Sequence, residues 1–133
     1  MGLSELYARI DALNRKISEN NRKIEKLEVA KSEVKEAKKT IEEYKSNWSN
    51  NVATPLSEDM TWLGNFKNEV TGCAVDGISA DYTTFINNID FVIDAICDKI
   101  TELENDNASC FGIIGECWAA INSILNELEK CVN

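Results

Sequence analysis

The sequence predicts an all-α protein: a long antiparallel helical hairpin of the coiled-coil type, followed by a shorter third helix at the C-terminus. Apolar residues recur at spacings of three, four and seven through most of the 133 residues, which is the period of helices that pack along a seam. Proline occurs once and glycine six times, too few for a protein of strands and turns. The length fits a single domain, residues 1–133.

The first helix is predicted over about residues 3–48, a stretch without glycine or proline. Its apolar stripe consists of Leu3, Leu6, Ile10, Leu13, Ile17, Ile24, Leu27, Val34, Ile41 and Trp48. Asn20 and Asn21 interrupt this stripe. Polar residues in a seam cost stability but fix the register of two helices, so the pair is interpreted either as a register device or as a simple gap in the packing.

A turn region is predicted over residues 49–64. Pro55 disfavours helix in the residue before it, so the first helix should end before this point. Ser57 has the side chain of a good N-cap, and Glu58 and Asp59 follow where carboxylates meet the positive end of a helix dipole. A second helix is therefore predicted from about residue 58 to residue 103.

Two features interrupt the second half of the chain. Gly72 and Gly77 are costly inside a helix, so we expect a kink, a break or a close helix crossing there. The polar segment 104–109 is interpreted either as a turn or as a continuation of the second helix, and a break near residues 105–107 is the favoured alternative. A third helix over about residues 109–131 would then fold back, with Trp118 and Leu125 on a broad apolar face that is too large to be covered within one chain and is a candidate for partner contacts.

Composition argues against catalysis and against several kinds of ligand. The chain has no histidine, which removes the commonest general base and metal ligand, and it has no Cys-x-x-Cys pair or glycine-rich phosphate loop. Residues 1–48 hold 11 Lys/Arg and 9 Asp/Glu, whereas residues 49–133 hold 3 and 14, so no basic patch is present to neutralise phosphates. We expect no enzyme activity, no metal, no cofactor and no nucleic-acid partner.

The start of the chain and its cysteines indicate the compartment. Residues 2–10 lack the apolar segment of a signal peptide, and no run approaches the ~20 apolar residues of a membrane span. We therefore expect a cytoplasmic protein without direct membrane insertion. The five cysteines are odd in number and irregularly spaced, which favours free thiols; Cys110 and Cys117 lie two turns apart on one helical face and should fill a core.

The most specific motif is Trp62-Leu63-Gly64, at the predicted tip between two long amphipathic helices. There the tryptophan can cover the end of the seam and the glycine permits a close backbone approach. With the opening Leu3-Ser-Glu-Leu-Tyr7, Phe66 and the pattern Tyr82-x-x-x-Ile86-x-x-Ile89-Asp90, the chain resembles the WXG-type helical-hairpin proteins of type VII secretion. It is most similar to the YwqH-like group that accompanies LXG-domain toxins.

This resemblance implies an accessory or targeting role, like that of a chaperone. The protein would bind the helical N-terminal LXG domain of a type VII secreted toxin and help present it for export. A heteromeric complex is implied, and a second small helical accessory protein is a further candidate partner. The protein either stays in the cytoplasm or is secreted together with the toxin. The competing interpretations are a self-associating coiled-coil scaffold and a chaperone of another export system.

One departure from the WXG-type pattern concerns the export signal. Such proteins often carry Tyr-x-x-x-[Asp/Glu] after the second helix, and no tyrosine follows Tyr82 here. The match in this chain is Tyr7-Ala-Arg-Ile-Asp11, within the first helix. It is either a chance match or a relocated signal, and in the first case the export signal would lie on a partner.

An acidic stripe marks one face of the second helix. Asp90, Asp94, Asp98 and Glu102 are spaced four residues apart, and Phe91 lies on the same polar side. One interpretation is a solvated face with a stray aromatic side chain. The other is a second contact face, in which an aromatic anchor is surrounded by carboxylates that steer a basic partner.

Overall fold

The computed structural model describes residues 1–59 and 64–132, and every element in these ranges is helical. Helix α1 spans Leu3–Trp48, and a π-helical turn, Ser49–Ala53, leads from it to the short helix α2, Thr54–Glu58. The short helix α3, Asn65–Val70, is followed by a second π-helical turn, Thr71–Gly77, and by the long helix α4, Ile78–Val132. The prediction of an all-α protein with two long helices is confirmed.

The chain divides into two compact units. Unit 1 consists of Met1–Val29 and Cys97–Asn133, and unit 2 of Ala30–Ile96. Each unit contains part of α1 and part of α4, and within each the two segments run antiparallel. Early residues of α1 meet late residues of α4 in unit 1, and the same order holds among the contacts inside unit 2.

An apolar core lies at one end of unit 1. Leu6 and Ile10 of α1 pack against Cys117 and Ile121 of α4, and Ile121 retains 1% of its exposure. The partly buried side chains around this core are Leu3, Ile113, Ile114 and Ile124. All these residues recur at helical spacings, so one stripe on each helix supplies the whole core. Cys110 and Cys117 are buried, which confirms the prediction that they fill a core, and no disulfide joins any of the five cysteines.

A buried amide cluster lies further along the same seam. The Asn20 Nδ2 group donates to the Asn107 Oδ1 atom at 2.9 Å and to the Asp106 Oδ2 atom at 2.8 Å. Asn107 in turn donates through its Nδ2 to the Asn21 Oδ1 atom at 2.9 Å, and Lys16 forms an ion pair with Asp106 at 3.4 Å. The asparagines of α1 are thus hydrogen-bonded partners of α4 rather than a gap, and they fix the register of the pair.

The predicted third helix is wrong, and the amide cluster gives the reason. The polar character of residues 104–109 favours a turn, but the segment continues α4 without a break. Asp106 and Asn107 find their hydrogen-bond partners on α1, so a helical path satisfies them as well as a turn would. Residues 109–131 are therefore the continuation of the second long helix.

The predicted start of the second helix at residue 58 is also wrong. Pro55 lies in the first turn of α2, where its missing N–H costs nothing and its fixed φ suits a helix. Ser57 is inside α2 rather than at an N-cap, and the helix ends at Glu58 because Asp59 takes an extended conformation with φ −66° and ψ 117°. Gly72 and Gly77, where a kink, a break or a close helix crossing is predicted, both lie in the π-helical turn Thr71–Gly77, which interrupts the α-helix.

Candidate partner-binding surfaces

Unit 2 carries an apolar groove between α1 and α4, and this groove is the leading candidate site. Two adjoining cavities of about 480 Å³ and about 340 Å³ form it, and both are lined by Ile41 and Phe85. The remaining lining residues are Val34, Ala37, Thr40, Ile78, Asp81, Tyr82, Ile89 and Val92. Asp81 is the one charged side chain among these lining residues.

Among the described residues, the apolar side chains that line the groove remain accessible to solvent. Ile78, Phe85 and Val92 lie seven residues apart on α4, and Phe85 and Val92 keep 53% and 49% of their exposure. Thr40 presents its methyl group as well, because its hydroxyl donates to the Glu36 carbonyl oxygen of the same helix at 3.2 Å. The helices therefore offer a continuous apolar strip to a further apolar element.

The opposite edge of the same helix pair is polar and is bridged by cross-helix contacts, although a cavity of about 470 Å³ beside Lys45 and Thr83 remains open there. Lys38 forms an ion pair with Asp90 at 2.7 Å, and the Lys45 Nζ group donates to the Thr83 hydroxyl at 3.1 Å. The hydrogen bond to Asp90 raises the pKa of Lys38 above its ordinary value, and partial desolvation opposes this only in part. Within unit 2, the pair formed by α1 and α4 thus has one polar edge with cross-helix contacts and one open apolar edge.

A second apolar surface lies on α4 in unit 1. Phe111, Trp118 and Leu125 are exposed at seven-residue spacing, and Leu128 and Val132 extend the exposed surface. The Trp118 ring makes an edge-to-face contact with Tyr7 at 5.9 Å between centroids. Because residue 7 lies opposite residue 118 in an antiparallel pair, the start of α1 lies near residue 122, and the last turns of α4 extend beyond it.

The acidic stripe is present on α4 but is only partly free. Asp90 is held by Lys38, and Glu102 pairs with Lys99 at 3.1 Å. Asp94 and Asp98 are exposed.

Phe91 is 72% exposed. It follows Ile89 by two residues, which places it about 160° around the helix from the seam. The face that carries Phe91 is therefore separate from the groove, and its role as a contact face stays a prediction.

The tip motif is only partly within the described residues. Trp62 lies outside them, whereas Gly64 is exposed, with φ +94° and ψ −159°. A Cβ built at Gly64 would have no described atom within 4 Å, so the expected close backbone approach is not seen among the described residues. The glycine is needed instead because this conformation is essentially restricted to glycine.

The other residues singled out in the sequence lie on the helix surfaces, and no chemical role is assigned to them. Tyr7 and Asp11 are exposed on α1, and Tyr7 is engaged with Trp118. Trp118 and Leu125 belong to the exposed surface of unit 1. Among the described residues, no group of three or more His, Cys, Asp or Glu is arranged to hold a metal ion.

By length and composition alone, one helical stretch among the described residues, Asn65–Val132, is long and apolar enough to cross a membrane, contrary to the expectation that no run is apolar enough. A helix that packs in the core of a soluble protein meets the same criteria.

The groove is the set of residues that sequence reasoning misses. Helical periodicity identifies the apolar face that contains Phe85, but it does not show whether the neighbouring helix covers that face. The signal that could have found the groove is the breadth of that face: Ile78, Phe85 and Val92 add a seven-residue row beside the row of Tyr82 and Ile89.

The chain was compared with known protein families, curated proteins and solved structures. The family model described as YwqH-like matches residues 4–129. No curated protein and no solved structure matches the chain.

Proposed function

The chain belongs to the YwqH-like family, and we propose that it acts as an accessory and targeting partner of a type VII secreted toxin. It binds the helical N-terminal LXG domain of that toxin in a heteromeric helical bundle and, like a chaperone, helps present the toxin to the secretion machinery. The resemblance of its sequence to WXG-type hairpin proteins, with Trp62-x-Gly64 between long amphipathic segments, supports this assignment.

The observation that carries the proposal is the open apolar edge of unit 2. Contiguous exposed apolar surface on a small protein usually marks an interaction site. Two helices packed side by side expose such an edge until a third or fourth helix covers it, as in helical bundles. A helical partner domain has the right kind of surface to complete this layer.

The compartment and the further partners belong to the same proposal. The protein acts in the cytoplasm, and the export signal is either Tyr7-x-x-x-Asp11 or a motif on the toxin. A second small helical accessory protein is a candidate for the surface around Trp118 and Leu125, which is separate in sequence from the groove residues. No enzymatic step is part of this function.

Co-expression with the LXG protein encoded next to its gene tests the proposal. The tagged N-terminal domain of that protein should retain this chain through affinity purification, and light scattering should give the mass of a heteromer. A well-behaved monomer that forms no complex with this domain would contradict the proposal.

The seven-residue row of Phe111, Trp118 and Leu125 is the observation that favours the second candidate, a self-associating coiled-coil scaffold. The same light-scattering measurement, made on the chain alone, tests it. A stable homo-oligomer at micromolar concentration that excludes the toxin domain would favour this alternative.

A further inference from the structure

We infer that the groove of unit 2 accepts a single amphipathic helix whose apolar stripe is flanked by Lys or Arg. This inference rests on the proposed function and deepens it, because it names the surface and the chemistry of the partner segment. It concerns the groove edge of unit 2 and not the face of α4 that carries Phe91.

The dimensions of the groove match one short helix. Its α4 wall runs from Ile78 to Val92, which is about 21 Å at 1.5 Å per residue, or about four helical turns. Helices that bind in grooves present anchors at positions i, i+3 or i+4, and i+7. A segment of about 15–18 residues would therefore fill the groove from end to end.

The walls and floor are apolar in the way that helix-binding grooves require. Phe85 and Val92 form the α4 wall, Val34 and Ile41 the α1 wall, and half-buried Ile89 lies between them. Phe85 lines both cavities and is half exposed. An aromatic side chain at the centre of an apolar patch is the usual energetic anchor of an interface, so Phe85 should dominate binding.

The rim of the groove is acidic. Asp81 lines one of its cavities, and at about 100° per residue Glu33 lies on the groove side of α1, beside Ala37. Two lysines of this part of α1, Lys38 and Lys45, are turned the other way and contact α4 on the polar edge. A helix with flanking Lys or Arg is attracted to this rim, whereas one with flanking Glu is repelled.

Two synthetic peptides of about 18 residues test the inference. They share one leucine stripe at helical spacing and differ in their flanks, which are Lys in one and Glu in the other. Binding to the full chain is followed by fluorescence anisotropy of the labelled peptide. The Lys-flanked peptide should bind at least about tenfold more tightly than the Glu-flanked peptide.

Phe85→Asp is the decisive variant, and Thr84→Asp is its matched control. Phe85→Asp should weaken binding of the Lys-flanked peptide by about tenfold or more, since it places a charge in the apolar anchor position. Thr84→Asp adds the same charge to the neighbouring residue outside the groove and should bind like the original chain. Because both changes make the protein more acidic, a loss confined to Phe85→Asp cannot arise from general charge attraction. Far-UV circular dichroism checks that both variants are folded.

Charge reversal at the rim provides an independent readout. The double variant Glu33→Lys/Asp81→Lys should reverse the preference, so that the Glu-flanked peptide binds more tightly. Equal binding of the two peptides to the original chain would overturn the inference. So would loss of binding in Phe91→Asp with retention in Phe85→Asp.

The toxin domain separates failure of the inference from failure of the proposed function. If the LXG domain binds the original chain and Phe85→Asp equally well, the groove assignment is overturned while the proposed function stands. If the peptides show the expected preferences but the LXG domain does not bind, the groove assignment stands and the proposed function fails.

Discussion

Unit 1 and unit 2 are built from the same two helices, yet they bury very different amounts of apolar side chain. The buried apolar residues of unit 1 are Leu6, Ile10, Ile17, Ile100, Leu103, Cys110, Cys117 and Ile121. In unit 2, among the described residues, only Ala53 reaches the same degree of burial. The seven-residue row of α1 that holds Ile10 and Ile17 in unit 1 continues in unit 2 as half-buried Lys38 and Lys45, which make polar contacts with α4 along the polar edge.

The comparison shows that helix formation and seam closure are separate requirements. Both units satisfy the first, because α1 and α4 continue through them. Unit 1 also satisfies the second, with a dry core and a hydrogen-bonded amide cluster. Unit 2 leaves one edge apolar and open, so a partner bound at this edge would stabilise unit 2 more than unit 1.

The largest expected effect comes from a matched pair of truncations. Ile121→Ala removes a fully buried side chain from unit 1 and should reduce the free energy of unfolding by about 2–5 kcal/mol. Ile89→Ala makes the same chemical change at a half-buried position of unit 2 and should cost clearly less. Urea denaturation followed by far-UV circular dichroism measures both, and equal losses would remove the contrast between the units.

The amide cluster should give the next largest effect. Asn107→Ala removes the hydrogen-bond partner of Asn21 and one of the two partners of buried Asn20, which keeps its bond to Asp106. The expected cost is about 1–3 kcal/mol. Asn122→Ala, an exposed asparagine on the same helix, is the control and should be close to neutral. Replacing both Asn20 and Asn107 with leucine should recover much of the loss; if the double change is as damaging as the single one, the cluster is not held by hydrogen bonding.

A glycine substitution in unit 2 and a matched one in unit 1 compare the backbone requirements of the two units. Gly64→Ala should destabilise the chain by about 1 kcal/mol or more, because its φ of +94° is strained for any residue with a Cβ. Gly115→Ala, in a helical position of α4 with open space around it, should instead be stabilising. Thermal unfolding of the two variants measures the difference, and the same sign of change in both would contradict the reason given for Gly64.

The smallest effect is a dependence on pH confined to unit 1. The hydrogen bond from Asn20 to the carboxylate, with help from Lys16, lowers the pKa of Asp106 below its ordinary value of 3.8. A lowered folded-state pKa contributes stability above the ordinary pKa and loses it as the pH falls through the folded-state value.

Asp106→Asn should therefore flatten the acid side of a plot of melting temperature against pH, starting near pH 4. Asp98→Asn, on an exposed position of the same helix, is the control for the loss of one charge. An unchanged acid slope in Asp106→Asn would show that this carboxylate does not stabilise unit 1.

Much of the fold follows from periodicity, because an apolar stripe at spacings of three and four identifies a helix whatever packs on it. The errors arise where polar residues have partners far away in sequence. Asp106 and Asn107 indicate a turn when taken alone, and only Asn20 and Asn21, more than 80 residues earlier, make them part of a helix. The groove escapes sequence reasoning for a related reason: the width of the stripe at Phe85 is visible in the sequence, but whether α1 covers it depends on the packing.

The buried Asn20–Asn107 pair also gives the protein a means of rejecting mispaired hairpins. A slip of one heptad would place Asn20 opposite Ile100 or Ile114, where its amide has no partner. An unsatisfied buried amide costs about 1–3 kcal/mol, and any poorer apolar packing in the slipped alignment adds to that cost. Leucines and isoleucines in successive heptads are nearly interchangeable with one another, so the apolar seam alone discriminates poorly between such alignments. The amides therefore favour the native alignment over slipped alignments when the two helices pair during folding.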